Sequence, residues 1–297
     1  MTSETVGTGL WALLGPLVEF GFMRRALVGS IALSLGCAPV GVFLLLRQMS
    51  LTGDAMAHAI LPGAAIGYLI AGMSLGAMTV GGIIAGLLVA VGSGLVARST
   101  VLREDASLAA FYLLSLALGV LIVSTRGSSV DLLHVLFGSV LALNDAALNL
   151  LLVIAIITLF VLALLYRSLV LECLDPQFLR SVSSLSAITH YSFLVLIVIN
   201  LVAGFHAIGT LMAVGIMVLP AAIARLWVHS VQALVTLAVL LALGACASGL
   251  LISYHADWPT SPVIVLVLGI VYLLSLIVGR YGAWRQGRGL QRRHLSA

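Results

Sequence analysis

The chain contains no lysine; all fourteen of its basic residues are arginine. A nucleotide-binding loop of the Walker type needs a lysine to reach the β- and γ-phosphates. The sequence therefore holds no such loop, and any ATP that drives its work must be hydrolysed by another subunit. Charge of either sign is scarce: 8% of the 297 residues are charged and 62% are hydrophobic, whereas soluble domains carry about 25% charge. Mean hydropathy is +1.24. No soluble fold of this length hides so much apolar surface, so the chain reads as a polytopic helical membrane protein. A β-barrel is excluded, because its strands would be short and alternating, and the apolar runs here are continuous. Three cysteines, Cys37, Cys173 and Cys246, lie far apart and form no CxxC pair, so they read as small apolar packing residues rather than a disulfide or zinc framework. There is no HExxH, no GxSxG elbow and no pair of acids within a span, which argues against an intramembrane enzyme. No basic n-region precedes the first apolar stretch, so no cleavable signal peptide is expected. The pI near 9.3 reflects arginines in loops and tail and does not point to nucleic acid.

What is present is an all-α transmembrane bundle of eight to nine spans. Residues 1–25 read as an interfacial amphipathic segment carrying Trp11, Phe20 and Phe22, aromatic residues suited to the headgroup level. Residues 26–280 form the membrane domain, and 281–297 a basic tail. Spans are expected at about 26–46, 55–73, 75–97, 106–124, 146–166, 188–204, 206–224, 231–253 and 263–279, each near the length that crosses a bilayer. Residues 132–143 are apolar but short, and read as a re-entrant or interfacial helix. Residues 167–186 read as the longest hydrophilic loop. With the N-terminus outside and the C-terminus inside, eleven of the fourteen arginines are cytoplasmic; only Arg24, Arg25 and Arg126 are not. The opposite orientation reverses that bias, so the positive-inside rule selects the first. Gly82, Gly86, Gly92 and Gly94 in the third span suit close helix packing in lipid.

The chain is organised around residues 47–63, between its first two apolar runs. Asp54 and His58 stand four residues apart there, on one face of a helix. A carboxylate and an imidazole both bind divalent cations, and ionisable groups within a membrane segment are functional candidates. The alternative is local: Asp54 caps the helix and hydrogen-bonds to His58 one turn on. His206, at the outer junction of the sixth and seventh spans, could receive a cation at the entry or be an interfacial turn residue. Asn200 reads as an interhelical hydrogen-bonding residue, and His134 as capped by Asp131 or as a docking or entry residue. Glu104 and Asp105 read as loop charges or as a contact to a cytoplasmic partner. His190, His229, His255 and His294 lie at span ends or in the tail, with no special role assigned.

Four pieces in register carry a resemblance. They are Phe43–Asp54 running into Ala57–Gly63; Arg103-Glu104-Asp105 before the span holding Ala117-Leu118-Gly119-Val120; Val130-Asp131-Leu132 before Leu136–Ala142; and Ile208–Met212 before Leu219–Arg225. In order and spacing the chain resembles, over roughly residues 22–280, the permease subunit of bacterial ABC importers for zinc, manganese and ferrous iron. It departs from the family after Asp175, where Leu179 and Ser183 stand in place of a small residue and a glycine.

The resemblance implies a multi-pass protein of the bacterial inner or plasma membrane, similar to the vitamin B12 class of importers. It implies a second permease copy (a homodimer, or a pair with a similar permease), two cytoplasmic ATPase subunits, and an extracytoplasmic protein that delivers metal. Zinc, manganese or iron is then cargo, and no resident cofactor is implied. Asp54 and His58, with His206 at the entry, become the candidate metal ligands. The segment from Pro220 to Val228 maps to the helix that couples to the ATPase, through Pro220, Ala221, Ala222, Ala224 and Arg225. Pro220 there suits a first helical turn. An alternative from another class is an ion-coupled secondary carrier with Asp54 and His58 as a proton relay. The lack of an evident internal repeat argues against it.

Overall fold

A computed structural model of the chain describes residues 20–49, 51–72, 74–101, 104–125, 143–174 and 185–279. Among the described residues there are nine helices and no strands: α1 (Gly21–Leu46), α2 (Thr52–Ala71), α3 (Leu75–Ser99), α4 (Glu104–Thr125), α5 (Asp145–Leu174), α6 (Leu185–Ala207), α7 (Thr210–Arg225), α8 (Val231–Ala256) and α9 (Thr260–Val278). Eight of them are long and apolar enough to cross a membrane; α7 is the exception. Its 16 residues rise about 24 Å, less than the roughly 30 Å of a hydrocarbon core. Residues 132–142, the 281–297 tail and all but the end of the 1–25 segment lie outside the described residues.

Three boundaries differ from the sequence reading. The first helix begins at Gly21, five residues before the expected span. Arg24 and Arg25 sit in its opening turns, and Arg25 Nε reaches Asp145 Oδ1 of α5 at 3.2 Å on an exposed face. The fifth helix runs on to Leu174, into the expected hydrophilic loop. Arg167 does not stop it, because arginine is a good helix former and no proline or glycine follows until Pro176. Leu169 on that extension is fully buried. Pro220 does not open a helical turn: it is internal to α7. Proline is tolerated inside membrane helices when neighbours satisfy the freed backbone groups, and Pro39 in α1 and Pro62 in α2 are further cases.

The centre of the bundle is α1 and α6, whose most apolar windows are 78% and 72% buried, while α4 shows only 17%. Oily faces on α4, α5 and α9, such as Leu118, Phe160 and Leu266, point outward, as lipid-facing surfaces do. Small residues set the close approaches. A Cβ on Gly63 would strike the Gly81 carbonyl of α3, and one on Gly41 would strike the Met217 carbonyl of α7. Gly82, Gly86 and Gly92 lie against Ile60, Val198 and Phe111, so these three do mark tight packing. Gly119 of α4 lies against the ring of Pro62. Arg25 meets Asp145 near the starts of α1 and α5, and Arg47 meets Glu172 near their ends. The two helices therefore run parallel, as the expected orientation of the first and fifth spans requires.

Candidate functional site

The path into the site is a five-residue corner between α1 and α2. Arg47 ends α1, and Gln48 takes a left-handed backbone with φ 58°. Gln48 N–H donates to Leu45 O at 3.1 Å and Met49 N–H to Leu44 O at 2.9 Å. This pair of bonds is the Schellman helix stop, here built on glutamine rather than glycine. Met49 is buried beneath it. Thr52 N–H then donates to Met49 O, and Ala55 N–H to Leu51 O, so α2 starts at once.

Asp54 is the third residue of α2 and His58 lies one turn on. The N-cap residue of α2 is Leu51, which has no polar side chain, and Asp54 follows it in the first turn. Asp54 Oδ1 and His58 Nε2 are 3.8 Å apart, and their side chains are 67% and 40% exposed. That distance is too long for a hydrogen bond. It is short enough for a shared cation, since two ligands each about 2.1 Å from one ion lie at most about 4.2 Å apart. The Tyr112 ring of α4 lies 6.5 Å from the His58 ring. Asp54 also lines an open cavity of about 180 Å³ with Leu51, Ala55, Asp105, Leu108, Ala109 and Tyr112. Asp105 is thus in the first turn of α4, not in a loop, and faces the same space as Asp54. Among the described residues no three His, Cys, Asp or Glu side chains cluster as a metal site.

His206 falls in the last turn of α6, and its side chain is outside the described residues. Sixteen residues of helix separate it from His190, about 24 Å, and His190 lies at the Arg47 end. The structure therefore does not bring His206 to Asp54 and His58. Of the residues assigned to coupling, Pro220, Ala221 and Ala224 are buried within the chain and Ala222 is half-buried; Arg225 is exposed. Beyond it, Trp227 is 41% exposed and its Nε1 donates to Ser275 Oγ of α9 at 3.1 Å. Asn200 is buried and donates to Thr158 Oγ1 of α5 at 2.7 Å, an interhelical bond as its sequence position suggested.

One cluster was missed. Arg47 turns inward rather than toward water, its side chain 8% exposed. Its Nη2 donates to Glu172 Oε1 of α5 at 2.9 Å and to His190 Nδ1 of α6 at 2.7 Å. The guanidinium has no acceptor, so Nδ1 must accept and the His190 proton resides on Nε2. The guanidinium also lies 5.0 Å from the centre of the Phe193 ring, within cation–π range. A signal was present: Glu172 is the only acid between Asp145 and Asp175, and an isolated acid beside a long apolar run calls for a partner.

Residues 19–279 match the ABC 3 transport family. The chain belongs to that family. It is a membrane permease subunit of an ABC transporter and a multi-pass protein of the bacterial cell membrane. This permease is 33% identical over 264 residues to the manganese import system permease protein ScaB of Streptococcus parasanguinis, covering 88% of this chain and 92% of that one. It is 30% identical over 268 residues to the chelated iron transport system membrane protein YfeD of Yersinia pestis, covering 90% and 89%. Among solved structures it is similar to PsaBC from Streptococcus pneumoniae in complex with Fab, with a TM-score of 0.80 and 27% identity over 94% of this chain and 99% of that one. The quoted motifs find structural reasons in this permease: Gly63 and Gly119 are packing contacts of α2, while Asp54 and His58 are left open beside them.

Proposed function

We propose that this permease moves a divalent metal cation inward, manganese first, with zinc and ferrous iron as the other members of the substrate class. The observation that carries the reading is the Asp54–His58 pair: a carboxylate and an imidazole open to solvent and 3.8 Å apart, too far for a hydrogen bond. Two ligands are fewer than the four or more of a closed site. A transported ion needs such incompleteness, because it must also leave. Asp105, in the wall of the same cavity, offers a carboxylate on the way out. Manganese is favoured because several relatives carry manganese in their names, and O/N ligands suit it. His206 is the proposed outer receiving residue.

Work is supplied by two copies of a separate cytoplasmic ATPase, since the chain has no lysine for a phosphate loop. A second permease copy and an extracytoplasmic metal-binding protein complete the assembly. The coupling contact is the end of α7 with the turn that follows it, Pro220 to Val228, where Arg225 and Trp227 are exposed. A mechanical route exists from there: Met217 and Val218 of α7 lie about one van der Waals contact from Gly53, the residue before Asp54.

The test is metal uptake by cells expressing the permease with its ATPase and binding protein. Manganese, zinc and iron are offered separately to wild type, Asp54→Ala and His58→Ala. One metal should accumulate, and both variants should stop it while still assembling with the ATPase. Uptake that persists in both variants would make the pair structural. Uptake that survives a dead ATPase would favour the ion-coupled carrier instead.

A further inference from the structure

Buried ion pairs do little for net stability, because desolvation offsets their attraction. A long arginine at a helix end can reach water at small cost by extending outward. Arg47 does neither of the easy things. It stays inside and ties together three elements: the end of α1, the last turn of α5 at Glu172 and the opening turns of α6 at His190. Its own backbone starts the left-handed corner at Gln48, which leads through a fixed set of hydrogen bonds into α2. Met49 is bonded back to α1 and Thr52 is bonded back to Met49, so a shift of Arg47 carries to the start of α2. The best-attested use of a buried polar cluster is to fix one register among several, and discrete rearrangement of such clusters is how packed helices switch.

We propose that Arg47 is a positioning residue for transport: it locks the Asp54–His58 helix to the cytoplasmic ends of α5 and α6, so that the pair changes its surroundings only when those two helices move. This rests on the reading of Asp54 and His58 as cation ligands. Arg47 touches no cargo. It makes cargo movement obligatory with helix movement, and so fixes how much metal crosses for each ATP consumed.

The purified complex of permease and ATPase, reconstituted in proteoliposomes with its binding protein, tests this with manganese. ATP hydrolysis and manganese accumulation are measured together for wild type, Arg47→Met and Glu172→Gln. In both variants ATP hydrolysis should stay within about twofold, while manganese moved per ATP falls at least about fivefold, the lower end of typical coupling effects. Glu172→Gln keeps an acceptor for Arg47 and removes only the charge, so it carries the same expectation if Arg47→Met does not assemble. A transport-to-hydrolysis ratio equal to wild type, even with reduced yield of complex, overturns the proposal, because a merely structural role lowers both activities in parallel. A wild-type complex that hydrolyses ATP and moves no metal overturns the underlying reading of Asp54 and His58 and this one with it.

Discussion

Two ionic groupings stand seven residues apart at one end of the bundle, and they are built in opposite ways. Arg47 and Glu172 are closed: 2.9 Å apart, 8% and 4% exposed, with His190 accepting from the same nitrogen. Asp54 and His58 are open: 3.8 Å apart and 67% and 40% exposed. The first pairs its two charges within the protein, away from water. The second leaves a carboxylate facing a cavity, with a partly exposed imidazole one turn on. Charged residue types alone therefore do not tell a closed ion pair from an open one; burial and separation do.

The sharpest way to break the contrast is to remove one member from each. Asp54→Ala should abolish metal uptake and leave thermal stability of the purified permease within about 0.5 kcal/mol, as surface substitutions do. Glu172→Ala should lower that stability by about 3–5 kcal/mol, since it strands a buried arginine, and the loss should show in the melting temperature in detergent. Stabilities that fall equally would erase the distinction. Packing beside the open pair should matter next. Gly63→Val places side-chain atoms where the Gly81 carbonyl lies, and overpacking of this kind costs about 1–3 kcal/mol, read as reduced melting temperature and reduced uptake together. Asn200→Leu removes the bond to Thr158 and should cost about 0.6 kcal/mol, the average for such bonds between membrane helices. The smallest effect should be a gain. Gln48→Gly relieves the left-handed backbone of the corner, and should stabilise by a few tenths to about 1 kcal/mol after the added chain entropy of glycine.

The open site could be read from the chain because its signal is local: an acid and a histidine at helical spacing between two apolar runs. The spans among the described residues were legible for the same reason, as each is a continuous apolar run. The closed cluster was not. Its members lie 125 and 143 residues apart along the chain, and each resembles an ordinary loop or span-end residue. Arg47 even satisfied the positive-inside count, which concealed that it points inward. Helix ends were the other weak point. Arg167 reads as the edge of the membrane, yet the helix continues to Leu174 because nothing there forbids it. At α7 the proline was read as a start, although membrane helices accept it inside.

The most direct test of the contrast is electron paramagnetic resonance of manganese bound to the purified permease–ATPase complex. The account predicts a bound signal with nitrogen coupling from His58 in wild type, lost in Asp54→Ala and kept in Glu172→Gln. A signal that survives Asp54→Ala and disappears in Glu172→Gln would place the metal at the closed cluster and contradict the account.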